Sequence, residues 1–181
     1  MTHIHSIPQI EEGLAKATNE FLQYCSSLSD EQFFHQPHEK WSPAQQVKHL
    51  IIAANNTRLA YSLPKFVIRL YVGKPNRPSR TYDELVAKYK LKLEQGGRAS
   101  GRFIPKPIAA GYGKEKMLTA FKRSMDKLSN TIHKKWKEPQ PDKYIAPHPL
   151  LGKITLRELG YFTIHHTYHH LESIQKMTAK G

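Results

Sequence analysis

Apolar residues recur at spacings of three and four along four long stretches of the chain, the period of a helix that buries one face. The first stretch carries Ile7, Ile10, Leu14, Ala17, Phe21 and Leu28. The second opens at "WSPAQQVKHL", where Ser42 can cap, Pro43 suits the first helical position and Gln45 completes a capping box. It is expected to run through "IIAANNTRLAYSL" to Pro64 or slightly past it. The third, "KEKMLTAFKRSMDKLSNTIHKKW", has a stripe of Met117, Phe121, Met125, Leu128, Ile132 and Trp136. The fourth starts at another capping box, Thr155 with Glu158, and continues to about Thr178.

The connections are rich in turn formers. "SSLSDEQFFHQP" follows the first helix, and Ser29 with Gln32 there has capping-box spacing. Between the second and third helices lie a loop, "GKPNRPSRT", a short helix, "YDELVAKYKLKLEQ", and a glycine- and proline-rich stretch, "GGRASGRFIPKPIAAGYG", expected to be an extended loop. A proline-rich loop, "KEPQPDKYIAPHPLLGK", leads to the fourth helix. No segment alternates with the period of a strand, and there is no internal repeat. The expected fold is all-α: one domain over residues 1–181, built as a four-helix bundle with a long crossover between the second and third helices. A length of 181 residues suits one core and falls short of two.

Composition narrows the function classes. At 39% hydrophobic residues the chain is a folding one, yet no apolar run approaches the roughly 20 residues of a membrane span. The start, "MTHIHSIPQIEEGL", lacks the basic end and apolar run of a secretory leader. The single cysteine, Cys25, cannot form an internal disulfide; it fits a reducing cytoplasm and is expected to be a small buried hydrophobe. The net charge of +13 is uneven: residues 65–106 hold eleven Lys and Arg against three acids, which places +8 of the +13 in one segment. Interleaved with Tyr71, Tyr82, Tyr89 and Phe103, these cations raise a nucleic-acid reading. A solvated face is the preferred explanation, because no nucleic-acid-binding fold accompanies the charge.

The candidate chemistry sits in "YFTIHHTYHH", Tyr161 to His170, which offers two histidine pairs four residues apart. Each helical residue turns about 100° from the last, so His166 and His170 fall on the face of Leu159, Phe162, Ile174 and Met177. His165 and His169 centre on the side of Glu158, Glu172 and Lys176, which is expected to meet water, with His169 at the edge of a pocket. Two inward imidazoles with a rise of about 6 Å between them can reach one metal ion. A third ligand must come from another helix, and His49 is the best candidate, on a face with Gln45, Ile52, Ala53, Asn56 and Leu63. The bland alternative is a pair of buried histidines that donate to backbone carbonyls. His148 is placed near the pocket mouth; His3, His5, His35, His38 and His133 read as surface or turn residues.

"WSPAQQVKHL" followed by "HPLLGKITLRELGYFTIHHTYHHLESI" resembles the DinB-like, YfiT-like superfamily, over about residues 5 to 178. The shared pattern is a Trp before a capped helix that carries His-Leu, then a late helix with His-x-x-x-His: here Trp41, His49, Leu50, His166 and His170. Ser173-Ile174 stands where many relatives have Gln-Ile, which changes pocket polarity without touching a ligand. The resemblance implies a four-helix bundle with a three-histidine site for a divalent ion, Zn²⁺, Ni²⁺ or Fe²⁺. It implies a hydrolase, or a transferase that joins a low-molecular-weight thiol to an electrophile. Gln45, Asn56, Tyr168, His169 and His148 are candidates for contacts around the metal or substrate. A small-molecule substrate is expected, with a homodimer as the assembly, and neither nucleic acid nor membrane as partner. The remaining alternatives are a basic nucleic-acid-binding helical protein and a bundle whose metal only staples helices.

Overall fold

Five helices begin at capping boxes, in which a Ser or Thr side chain accepts from the backbone three residues on and a Gln or Glu reaches back: Ser6/Gln9, Ser29/Gln32, Ser42/Gln45, Thr81/Glu84 and Thr155/Glu158. The computed structural model describes residues 4–37 and 40–179; His3 and His38 lie outside them. Among the described residues the architecture is mostly helical. The α-helices are α1 (Ile7–Ser27), α2 (Asp30–Phe34), α3 (Pro43–Ser62), α4 (Lys65–Tyr71), α5 (Tyr82–Glu94), α6 (Lys114–Lys135) and α7 (Leu156–Thr178). The second long helix stops at Ser62, and the chain restarts after Pro64 as the separate α4.

The stripes seen in the sequence form the core. Ile10, Leu14, Ala17 and Phe21 of α1 face Met117, Phe121, Met125 and Leu128 of α6, all buried, with the Phe21 and Phe121 rings 5.0 Å apart. The four long helices pack in a ring of pairs, α3 on α6, α6 on α1, α1 on α7 and α7 on α3. The long connection over residues 63–113 therefore joins two neighbours in that ring, and it supplies α5, which lies on α7. Gly160 permits the close approach at the start of α7: a Cβ there would sit 3.0 Å from Ile10 Cγ2 and 3.1 Å from the Tyr61 hydroxyl. That hydroxyl donates to the Leu156 carbonyl, and Trp136 Nε1 donates to the Tyr61 carbonyl at 2.9 Å.

Two expectations fail. The loop before α7 contains an antiparallel hairpin, β1 (Ile145–His148) with β2 (Gly152–Thr155). Each strand has four residues, one with a proline and one starting at glycine, too short for a period of two to register. Glu158 also does not face water. It is fully buried beneath the loop that joins α4 to α5, where it accepts from Arg77 Nη1 at 2.7 Å, Arg77 Nη2 at 2.9 Å and Arg80 N at 2.8 Å. Its neighbour Arg157 is equally buried, donating to Asp142 at 2.6 and 2.8 Å and to Glu138. His5, His35 and His133 are exposed as expected. Cys25 is a buried hydrophobe, its thiol pushed up to about 12 by burial.

Candidate metal centre

α7 presents His166 and His170 one turn apart, and α3, which packs against α7, presents His49 opposite them. All three are buried, and one ring nitrogen from each lies within 4.8 Å of the others. His49 Nε2 is 3.1 Å from His166 Nε2, which is 3.2 Å from His170 Nε2.

The partners of the outer nitrogens fix where the protons are. His49 Nδ1 lies 2.7 Å from the Phe103 carbonyl, which can only accept, so Nδ1 carries a proton. His170 Nδ1 lies 2.9 Å from Gln46 Oε1. The other end of that amide donates to the Trp41 carbonyl at 3.3 Å, which identifies Oε1 as the oxygen. His170 Nδ1 is therefore also a donor. Neutral imidazole has one N–H, so His49 and His170 both aim Nε2 lone pairs at His166. One proton on His166 Nε2 can answer only one of them. A cation among the three nitrogens answers all, and this donor set suits a divalent transition ion.

Full protonation is no substitute. Burial holds His166 and His170 well below the usual imidazole range, with the neighbouring histidines adding to it. Burial lowers His49 as well, against the upward pull of the Phe103 carbonyl. The rings are clamped from outside. Trp41 stacks within 7° of the His170 ring plane, its centroid 6.4 Å away and 5.0 Å from that of His49. Phe162 stacks on His166 at 4.8 Å.

The three histidines open onto a cavity of about 1740 Å³ between α3, α7, the end of α5, the 97–104 loop and the hairpin. Its walls are largely apolar, with Ala53, Leu59, Leu63, Leu93, Leu150, Phe162 and Met177 among them, and Lys40, Arg98, Arg102 and Lys176 add positive charge. Asn56, His148, His169 and Ser173 line it too. His148 packs edge-on to Phe162 at 4.2 Å, and burial pushes its imidazole down to about 4.

Two of the weaker candidates do not reach the cavity. Gln45 is consumed by its cap: Oε1 accepts from Ser42 N at 2.9 Å and Nε2 turns to the Pro105 carbonyl. Tyr168 is half-buried against the core, with Glu20 beside its hydroxyl. The glutamine at the centre is the next one, Gln46; the start of α3 is buried on every side from Pro43 to Val47, so periodicity could not choose between the two. Tyr89, which the sequence offers only as an aromatic within the basic segment, belongs to the site as well. It is buried, its ring 5.2 to 6.3 Å from Phe162, His165, His166 and His169, so α5 roofs the face expected to meet water. His165 is half-buried under it and takes no part in the cluster. Of the four aromatics interleaved with the basic segment, only Tyr71, 80% exposed, stands free; Tyr82 packs on Tyr161 and Phe103 on His49.

No helix among the described residues is long and apolar enough to cross a membrane. No curated protein matches the chain at a significant level. The capped helix with Trp41 and His49, the late His166/His170 pair and the helical fold around them agree with a family match that covers nearly the whole sequence: the chain belongs to the DinB superfamily, whose model matches residues 14–174.

Proposed function

We propose that the protein is a divalent-metal-dependent transferase that joins a low-molecular-weight thiol to a small apolar electrophile, with His49, His166 and His170 as ligands of Zn²⁺, Ni²⁺ or Fe²⁺. The observation that carries the reading is the proton deficit among the three Nε2 atoms, 3.1 and 3.2 Å apart while both flanking Nδ1 atoms are committed as donors. A bound ion with open positions supplies a Lewis acid that makes a thiol or a water nucleophilic near neutral pH.

The chain's own residues supply aim and environment. The Phe103 carbonyl and Gln46 orient two imidazoles, and Trp41, Phe162 and Tyr89 keep water from the backs of the rings. Leucines 59, 63, 93 and 150 offer apolar walls, and Arg98 and Arg102 favour an acidic group on one co-substrate. At about 1740 Å³ the cavity exceeds the roughly 300–1,000 Å³ of common ligand sites, which favours two co-substrates over one. Among the described residues that line the cavity, Glu94, exposed on α5, is the sole carboxylate, and it is not part of the histidine cluster.

Hydrolysis is the second reading, favoured by His148 and His169, both held neutral by burial and both on the cavity wall. A purely structural staple is disfavoured, because a closed site needs a fourth protein ligand and among the described residues three converge. The test is thioether formation by the metal-loaded protein from a panel of low-molecular-weight thiols and an aryl halide. Turnover that disappears on chelation and in His170→Ala is expected. Ester hydrolysis with the same metal dependence, and no thioether with any thiol, would replace this reading with the second.

A further inference from the structure

We infer that a second cavity, independent of the histidine centre, is a binding site for a small phosphate-bearing anion. It measures about 420 Å³ and shares no lining residue with the larger cavity. Five cationic side chains converge on it from three parts of the chain: Lys74, Arg77 and Arg80 from the loop before α5, Lys88 from α5 and Lys153 from β2. The size falls within the range of small-molecule sites, roughly 300–1,000 Å³.

The charge there is not cancelled from within. The carboxylate beneath, Glu158, is fully buried and already accepts from Arg77, Arg80 and Thr155 N. It offsets one charge of five. The nearby acids are committed elsewhere: Asp142 binds Arg157 and Ser79, and exposed Glu84 caps α5 through Thr81. Glu158 does something more useful than neutralise, since it holds two guanidinium groups in place. Three of the five N–H donors of Arg77 are used, on Glu158 and the Pro78 carbonyl, and the rest remain for a ligand. Arg80 commits one side-chain donor, to Glu158. Cations fixed before binding lose less freedom when an anion arrives.

The lysines complete the set. The Lys88 ammonium makes a long hydrogen bond, 3.5 Å, to the Leu151 carbonyl, and its affinity for a proton is reduced by burial and then by Arg80 and Arg77. Lys153 Nζ is steadied on the Val72 carbonyl at 2.7 Å and keeps further donors. Planar guanidinium forks beside ammonium groups match the several oxygens and multiple charge of a phosphate better than a single carboxylate. A nucleic acid strand is the poorer occupant, because Tyr82 and Tyr89 on α5 turn inward and give no platform for bases.

The experiment is calorimetric titration of the full chain with inorganic phosphate at constant ionic strength. Saturable binding at one site per chain is expected. Lys74→Gln with Lys88→Gln, which leaves the Glu158 cluster intact, should weaken it at least tenfold without moving the thermal midpoint. Should that variant lose its melting transition, Lys153→Gln on a different element is expected to weaken binding in the same direction. Arg98→Gln with Arg102→Gln, at the other cavity, should leave it unchanged. No saturation, equal binding by wild type and the lysine variants, or equal loss in the Arg98/Arg102 variant would overturn the site. An oligonucleotide bound far more tightly than phosphate, with the same dependence on Lys74 and Lys88, would overturn the small-anion assignment.

Discussion

Helix α7 carries two buried polar clusters, separated by roughly 12 Å along its axis between Glu158 and His166. They are equally hidden from water and oppositely finished. Arg157 and Glu158, 2% and 0% exposed, have each charge met by an opposite charge or a backbone group. His49 and His170 have partners on their outer nitrogens, while the inner nitrogens of His49, His166 and His170 face one another one proton short. Burial alone does not separate a structural cluster from a functional one. The valence left over does, because a buried polar group without a partner is costly unless a ligand supplies one.

The sharpest contrast is in stability. Glu158→Ala strands Arg77 and Arg80 above an empty floor, and loss of about 3–5 kcal/mol is expected from urea denaturation. In metal-free protein, His166→Ala with His170→Ala should cost less, because it removes an unmet demand. A smaller loss at Glu158 than at the histidines would reverse the comparison.

Acid should begin to destabilise the two regions at different pH values. Burial lowers His148 from 6.5 to about 4, and the three clustered histidines also lie below 6.5. Unfolded imidazoles take protons that the folded ones refuse, so metal-free protein is at full stability above pH 6.5 and loses it as pH falls towards 4. The slope is at most about 1.4 kcal/mol per pH unit for each such group. For Glu158, burial pushes upward, but Arg77, the Arg80 amide and Thr155 N hold the carboxyl below its ordinary 4.5. Its contribution is present above 4.5 and is lost only below it. Urea midpoints measured from pH 8 to 3 should begin to fall near pH 6.5 and fall more steeply below 4.5; no change between pH 7 and 5 would contradict the histidine part.

Next in size is the pair of adjacent glutamines. Gln46→Ala frees His170 Nδ1, and metal affinity should fall about 10- to 100-fold in a chelator competition. Gln45→Ala breaks half of a capping box instead, for a loss of about 1 kcal/mol in stability and no change in metal affinity. The smallest effect is expected at His165, packed under Tyr89 and outside the cluster: His165→Ala should leave metal affinity within about threefold of wild type.

What was legible in the sequence was local. Capping boxes at Ser29, Ser42 and Thr155 involve residues three apart, and the stripes of α1 and α6 follow a single helical period. The phase of α7 separated His166 and His170 from His165 for the same reason. Features set by distant chain were not legible. Glu158 reads as a capping residue on a wet face until the loop of Arg77 and Arg80, some eighty positions earlier, closes over it. Gln46 became the partner of His170 through the way α3 meets α7, and Tyr89 reached the histidines because the long connection folds back as α5. The hairpin was hidden by its brevity.

The most direct test of the central claim is the metal content of protein purified without added metal, compared with that of His166→Ala/His170→Ala. About one divalent transition ion per chain in the wild type, background in a double variant that still folds, and recovery on reloading only in the wild type are the results expected. Stoichiometric metal in the folded double variant would contradict the assignment of His49, His166 and His170 as the ligands.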